Sequence, residues 1–248
     1  MKRLLIIALA CMLQTLLCQL VVAQPVIETH VGGIRQEMPI DESTKIVDKT
    51  TGKVVSLQGF QRLIKTDPYA YHLEPVFNEY GQVASYTLRP TTAEEKETHQ
   101  FHDRDPALQP KVGEPMPEFV MKGIDDKVYR LSELKGHVVI VSFWISLRKP
   151  FWTPNQAKLF ADALRPHQSE TDPISLGVLQ ESKEAIVDVM TTETLPFIAI
   201  PNAYGFNRKF QVTTGPTFIV IDRAGKVAAY LEGYAYDQLQ KTLKAVSR

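Results

Sequence analysis

Short apolar runs alternate with segments of helical periodicity in the C-terminal half of the chain. Such alternation is typical of a sheet with helices on both faces, so it predicts an α/β fold for this half. Ile186, Val187 and Met190 recur at helical spacing and predict the buried face of one helix. The predicted strands are residues 137–144, 174–179, 197–200, 217–221 and 227–231, and the predicted helices are residues 155–164, 183–190, 203–210 and 236–246.

The N-terminal half predicts a smaller α+β module. Two pairs of apolar segments flank turn-like sequences, which indicates two β-hairpins, and a short helical segment lies between them. The predicted order is ββαββ or βαββ. The predicted strands are residues 45–48, 53–55, 70–77 and 82–88, and the predicted helix is 57–64.

A polar and charged stretch separates the two halves. Residues 91–111 contain few aliphatic side chains, a composition typical of linkers. We therefore expect a signal peptide at 1–23, a small module at 24–90, a linker at 91–111 and an α/β domain at 112–248.

The first residues have the three regions of a secretory signal. Lys2 and Arg3 precede an apolar run that ends near Leu20, and Ala23 offers a cleavage site. The pattern predicts an exported protein with no membrane span after signal cleavage. Two alternatives stay open: an uncleaved anchor, although polar residues interrupt the apolar run, and a lipid attached at Cys11.

The cysteine positions and the charge balance exclude several classes of function. Both cysteines, Cys11 and Cys18, lie inside the predicted signal, so the processed chain would contain no thiol and would be stabilised by packing alone. The chain has 28 basic and 28 acidic residues. Because these charges balance, no global field favours binding to nucleic acid or to an anionic membrane surface, and no nucleic-acid partner is expected.

Two blocks of the C-terminal half resemble redoxin domains. The first comprises Val-Gly-Glu-Pro-Met-Pro-Glu-Phe at 112–119 and residues 131–144, which end in Phe143-Trp144; the second is Gly-Pro-Thr-Phe-Ile-Val-Ile-Asp at 215–222. This group covers TlpA-like thiol-disulfide reductases and peroxiredoxins related to alkyl hydroperoxide reductase. The resemblance implies a thioredoxin-like fold from residue 112 onward, with a central mixed sheet flanked by helices. Together with the signal, it implies a location in the periplasm or cell envelope, with secretion as the alternative.

The matching active-site positions lack cysteines. The reductases carry Cys-x-x-Cys after Phe-Trp at the start of a helix, where the helix N-terminus favours the reactive thiolate. Here Arg148 and Phe151 stand in the two cysteine positions, and Ser142 replaces a buried acid found just before Phe-Trp in thioredoxins. The resemblance therefore implies that the family mechanisms of disulfide exchange and peroxide reduction are not available. No catalytic residue is predicted.

The altered motif contains the first group of candidate site residues. For Arg148 and Lys149, two interpretations stay open: an anion site beside a helix N-terminus, or exposed side chains in a vacated site. For Phe151 and Trp152, two interpretations also stay open: an exposed apolar patch, or side chains packed onto the sheet. Trp144 is expected in the core. The motif comprises Trp144, Arg148, Lys149, Pro150 and Phe151.

A second group surrounds the position of the family's cis-proline. In thioredoxins, the backbone just before this proline pairs with an extended substrate, and Gly215 should leave that edge open. Alternatively, Pro216 is present because the turn of the fold depends on it. The predicted groove, for an exported polypeptide or a small ligand, comprises Phe151, Trp152, Gly215, Pro216 and Thr217.

Other chemistry is sparse. His99 and His102 could hold a metal if their segment were helical, but in a polar linker we expect solvated side chains and no metal or other cofactor. Three functions remain open: a non-catalytic binding or scaffold protein that uses the former active-site groove, a redoxin-family thiol-disulfide oxidoreductase or antioxidant protein, and a structural or assembly role of the N-terminal module.

Overall fold

The computed structural model of the protein describes residues 26–31, 34–101 and 104–247, so the predicted signal lies outside the described residues. The strands are β1 (Val26–Val31), β2 (Ile34–Pro39), β3 (Ile46–Asp48), β4 (Val54–Val55), β5 (Tyr71–Phe77), β6 (Val83–Pro90), β7 (Val120–Lys122), β8 (Val128–Arg130), β9 (Val139–Phe143), β10 (Ile174–Val178), β11 (Ile198–Ile200), β12 (Thr217–Ile221) and β13 (Val227–Glu232). The helices are α1 (Leu57–Ile64), α2 (Ala93–Thr98), α3 (Pro154–Leu164), α4 (Lys183–Met190), α5 (Gly205–Lys209) and α6 (Tyr236–Val246).

The N-terminal module is built on a four-stranded sheet in the order β4-β3-β6-β5. The β3–β6 pair is parallel, and the outer pairs are antiparallel. Helix α1 begins after Ser56, whose hydroxyl accepts a hydrogen bond from the backbone N–H of Gly59 at 3.1 Å. Its buried residues Leu57 and Phe60 join Ile46 and other apolar side chains in one small core. From β3 to β6 the elements follow ββαββ, one of the two predicted orders, but the antiparallel pair β1–β2 before them was not predicted.

The start of the predicted linker is folded against this sheet. Helix α2 opens with a capping box. The guanidinium of Arg89 on β6 pairs with Glu74 at 2.5 Å and with Glu95 of α2 at 2.6 Å. After α2, the ring of Phe101 stacks on His72, with ring centroids 4.0 Å apart. Side-chain pairs therefore hold this polar segment in place.

The module contacts the C-terminal domain directly. The backbone N–H of Gly205 in α5 donates to the carbonyl of Gly81 at 2.8 Å. A Cβ atom on Gly205 would lie 2.7 Å from the ring of Phe77, so this close approach requires glycine. Beyond α2, the side-chain amide of Gln109 donates to the carbonyl of Gln211 at 3.0 Å.

The C-terminal domain has a five-stranded sheet in the order β11-β10-β9-β12-β13. Strands β9, β10 and β11 are parallel, whereas β12 is antiparallel to both neighbours. Helices α3, α4 and α6 pack on one face, and α5 with residues 116–134 packs on the other. Every residue of β9 and β12 is buried, as expected for strands covered on both faces. This mixed sheet with flanking helices confirms the predicted thioredoxin-like fold.

The predicted strands and helices of this domain end within two residues of the observed ones. The prediction of the buried face of α4 was partly wrong. Ile186 is buried, but Val187 and Met190 are 48% and 44% exposed. Ile186 and Val189, three residues apart, point to the core instead, so Val187 and Met190 fall on the neighbouring stripe of the helix. None of the helices in the described ranges is long and apolar enough to cross a membrane.

Burial of His72 generates a prediction about pH and stability. Burial, with Arg89 close by, lowers the pKa of His72 from 6.5 to about 4. Between these two values, lowering the pH protonates the unfolded chain but not the folded one. The free energy of unfolding should therefore fall by up to about 1.4 kcal/mol per pH unit as the pH is lowered through this window.

Urea unfolding measured from pH 7.5 to 4.5 tests this expectation. A His72→Gln variant should lose this part of the pH dependence. The control, His99→Asn, changes an exposed histidine and should keep the wild-type slope. Equal slopes for His72→Gln and the wild type would contradict the assignment.

Candidate functional site

The two predicted parts of the site meet at one edge of the central strands. Strand β12 runs antiparallel to β9, and Thr217 lies opposite Phe143. Residues that follow β9 therefore lie beside residues that precede β12. This pairing brings the start of the loop after β9, at Trp144 and Ile145, next to Gly215 and Pro216, although the two segments are far apart in the sequence.

Trp144 leaves β9 and enters the core, as expected. Its indole N–H donates to the hydroxyl of Ser142 at 2.9 Å, and that hydroxyl donates to the carbonyl of Leu176 at 3.2 Å. Ser142 is fully buried. A neutral hydroxyl thus satisfies the buried indole at the position where thioredoxins carry an acid, and it supplies no proton for acid–base chemistry near neutral pH.

Trp152 is buried, whereas Phe151 is exposed. The Trp152 ring packs edge-on against Trp144, with centroids 4.8 Å apart, and its N–H donates to Glu193 at 2.8 Å. The Phe151 side chain is 37% exposed. Each interpretation therefore holds for one of the two residues. Trp152 packs onto the sheet, and Phe151 contributes to the surface.

Arg148 and Phe151 lie at the two ends of a tight turn. The N–H groups of Phe151 and Trp152 donate to the carbonyl of Arg148 at 2.9 and 3.0 Å. Arg148, Lys149 and Pro150 are exposed, and the Lys149–Pro150 peptide bond is cis. Among the described residues, neither Arg148 nor Lys149 forms an ion pair.

The altered motif precedes helix α3 instead of starting it. Helix α3 begins at Pro154, and Thr153 is its N-cap residue. The Thr153 hydroxyl accepts a hydrogen bond from the backbone N–H of Gln156 at 3.3 Å. The helix N-terminus that the anion-site interpretation needs is therefore displaced from Arg148 and Lys149. These two side chains are solvent-exposed cations on a turn.

Glu181 holds the base of the same loop from the neighbouring strand. It follows β10, and its Oε1 atom accepts hydrogen bonds from the Ser146 hydroxyl at 2.6 Å and from the Leu147 N–H at 2.8 Å. The Ser146 oxygen in turn accepts the N–H of Arg148 at 3.1 Å. One carboxylate thus fixes three consecutive residues of the loop, directly or through Ser146.

The cis-proline segment lies against this loop. The Gly215–Pro216 peptide bond is cis, and both Pro216 and Thr217 are buried. The Thr217 hydroxyl donates to the carbonyl of Thr214 at 2.6 Å. The space that Gly215 was expected to leave open is filled: a Cβ atom there would lie 2.4 Å from Cγ1 of Ile145. Glycine is required at this position because Ile145 packs against it.

The described residues contain no group of three or more His, Cys, Asp or Glu side chains that could hold a metal ion. His99 stacks on Tyr69, with ring centroids 3.9 Å apart. His102 lies outside the described residues.

Sequence reasoning missed three residues that shape the site: Ile145, Glu181 and Glu193. Glu181 had a usable signal, because it follows the predicted strand at 174–179, and the carboxyl ends of parallel strands meet at one edge of a sheet. Ile145 and Glu193 had none, because their partners are distant in the sequence.

Residues 112–230 match the AhpC/TSA family. The matched segment contains no cysteine, because the two cysteines of the chain lie at positions 11 and 18. No curated protein matches the chain.

Solved thioredoxin-like structures are similar to the same half of the chain. The exposed lipoprotein thioredoxin of Streptococcus pneumoniae is 22% identical, and the match covers 52% of this chain and 99% of that protein, with a TM-score of 0.43. A thiol-disulfide oxidoreductase of Bacteroides fragilis is 18% identical, with coverages of 52% and 98% and a TM-score of 0.43. A thioredoxin-family thiol:disulfide interchange protein of Chlorobium tepidum is 21% identical, with coverages of 54% and 96% and a TM-score of 0.42.

The contact between Ile145 and Gly215 generates a stability prediction. A Gly215→Ala substitution should lower the free energy of unfolding by about 1–3 kcal/mol, because the new methyl group overlaps Ile145. Adding Ile145→Ala should relieve this overlap, so the two substitutions should be less destabilising together than the sum of their separate effects.

A double-mutant cycle measured by urea denaturation tests the contact. Gly59→Ala in α1 is the control partner for Ile145→Ala, and this pair should be additive because α1 belongs to a separate core. Additive effects of Gly215→Ala and Ile145→Ala would contradict the predicted contact.

Proposed function

We propose that the protein is an exported, non-catalytic member of the thioredoxin-like group, which binds a polypeptide through the former active-site face. The turn from Arg148 to Phe151 is the observation that carries this proposal. It has the spacing of the family's thiol pair and is exposed at its tip, yet neither side chain can form a thiolate. A surface that is exposed but lacks the thiol pair can bind a partner but cannot exchange disulfides.

The surroundings of the turn support a binding role. Trp144 and Trp152 are packed inside, so they stiffen the base of the loop. Arg148, Lys149 and Phe151 remain at the surface. Arginine and aromatic side chains are enriched among the residues that dominate binding energy in protein interfaces. Export is part of the proposal and rests on the signal-like residues 1–23.

Restoring the thiol pair tests the loss of catalysis. In a full chain with Cys11→Ser and Cys18→Ser, insulin reduction should not exceed the dithiothreitol background. An added Arg148→Cys/Phe151→Cys pair should form a disulfide, because a turn of this kind brings its end Cα atoms within about 7 Å, and should reduce insulin above background.

Asp237→Cys/Gln240→Cys on the exposed side of α6 is the control, with the same spacing but outside the former active-site face. It should remain at background. Turnover by the cysteine-free chain would overturn the non-catalytic proposal and favour the redoxin oxidoreductase alternative.

Selection from a random peptide library tests binding. Twelve-residue peptides selected on the immobilised protein should bind in a fluorescence anisotropy assay, and Phe151→Ser should weaken binding by about tenfold, because it removes the exposed ring at the centre of the proposed surface. Leu108→Ser changes a side chain that is 68% exposed on another segment and should have no effect.

Failure to enrich any peptide would overturn the proposal. A structural or assembly role of the N-terminal module would then be the second candidate. The close contact of Gly81 with Gly205 favours that candidate, because it joins the module to α5.

A further inference from the structure

Two glutamates from one segment hold the two ends of the former active-site loop. Both belong to the connection between β10 and β11, on either side of helix α4. Glu181, before α4, accepts hydrogen bonds from Ser146 and Leu147 at 2.6 and 2.8 Å. Glu193, after α4, accepts the indole N–H of Trp152 at 2.8 Å. The residues between these anchors, 148–151, form the exposed turn.

This arrangement directs negative charge inward and leaves positive charge at the surface. Both glutamates bond to the base of the loop and not to its cations. Elsewhere on the same domain, Lys158 pairs with Asp162 at 2.5 Å. Among the described residues, Arg148 and Lys149 have no such partner. Two uncompensated cations therefore lie beside the exposed ring of Phe151 on one turn.

We propose that the surface formed by Arg148, Lys149 and Phe151, which Glu181 and Glu193 hold in place, binds an acidic polypeptide segment that carries an apolar side chain. The inference rests on the proposed function and names the chemistry of its partner. Two cations favour carboxylates through charge complementarity, and the ring of Phe151 offers an apolar contact. A loop that is already fixed loses little conformational entropy on binding.

Defined peptides test the charge preference. Three labelled twelve-residue peptides share one Phe and differ only in four positions, which are all Glu, all Gln or all Lys. The Glu peptide should bind at least about fivefold more tightly than the Gln peptide, and the Lys peptide should bind most weakly. The difference in affinity between the peptides should shrink in about 0.5 M salt, because at this concentration exposed charges are screened over about 4 Å.

Matched variants assign the preference to this turn. Arg148→Gln/Lys149→Gln should remove the advantage of the Glu peptide over the Gln peptide. Lys241→Gln/Lys244→Gln removes the same charge from the exposed side of α6 and should preserve the advantage. Equal binding of the Glu and Gln peptides by the wild type would overturn the inference. Because selected peptides would still bind, that result would leave the proposed function intact.

The positioning role of Glu193 has its own test. Glu193→Ala removes the acceptor for Trp152, so it should raise hydrogen exchange across residues 146–152 and weaken the Glu peptide about threefold or more. Glu193→Gln has the same lost charge but retains an acceptor oxygen, and it should restore most of both properties. Glu184→Ala, an exposed residue of α4, is the control. Wild-type exchange and affinity in Glu193→Ala would overturn this role.

Discussion

The antiparallel pairing of β9 with β12 is the constraint on which the site depends. Both strands are buried along their whole length, between two layers of apolar side chains. Their register places Phe143 opposite Thr217, so the chain that leaves one strand must lie beside the chain that enters the other. The contact of Ile145 with Gly215 follows directly. A slip of one residue would move the side chains of these strands into the opposite apolar layer, so the close packing of both layers holds the register.

Buried indole groups determine how the loop after β9 is held. An indole N–H that is removed from water needs an acceptor. Trp144 finds one in the neutral hydroxyl of Ser142, and Trp152 finds one in the carboxylate of Glu193. A neutral acceptor suits the deeper position, because an unpaired charge there would have a large desolvation cost. The carboxylate acts closer to the surface, where it remains partly hydrated. Packing and hydrogen bonds, without a disulfide, thus maintain the shape of the loop.

The polar segment after β6 shows why composition alone is a weak guide to linkers. Residues 91–101 contain few aliphatic side chains, yet ion pairs and stacked rings hold them against the N-terminal sheet. Arg89 satisfies two carboxylates at once, and the His72 ring stacks on Phe101. A docked polar segment and a solvated linker have similar composition, because the difference lies in the partners and not in the residues.

The sequence by itself determined the order of elements from β3 to β6 and from β9 to α6, the thioredoxin-like fold and the absence of thiols from the C-terminal domain. Apolar periodicity reflects burial of each element separately, and cysteine content is a property of composition, so neither depends on distant contacts. Only the tertiary structure decided that Trp152 is buried while Phe151 is exposed, that Ile145 fills the space beside Gly215, and that α3 begins beyond the altered motif. It also revealed Glu181 and Glu193 as the anchors of the loop, whose hydrogen bonds join residues 35 and 41 positions apart. Such hydrogen bonds depend on how distant strands and loops pack against each other, and a local pattern of residues does not specify that packing.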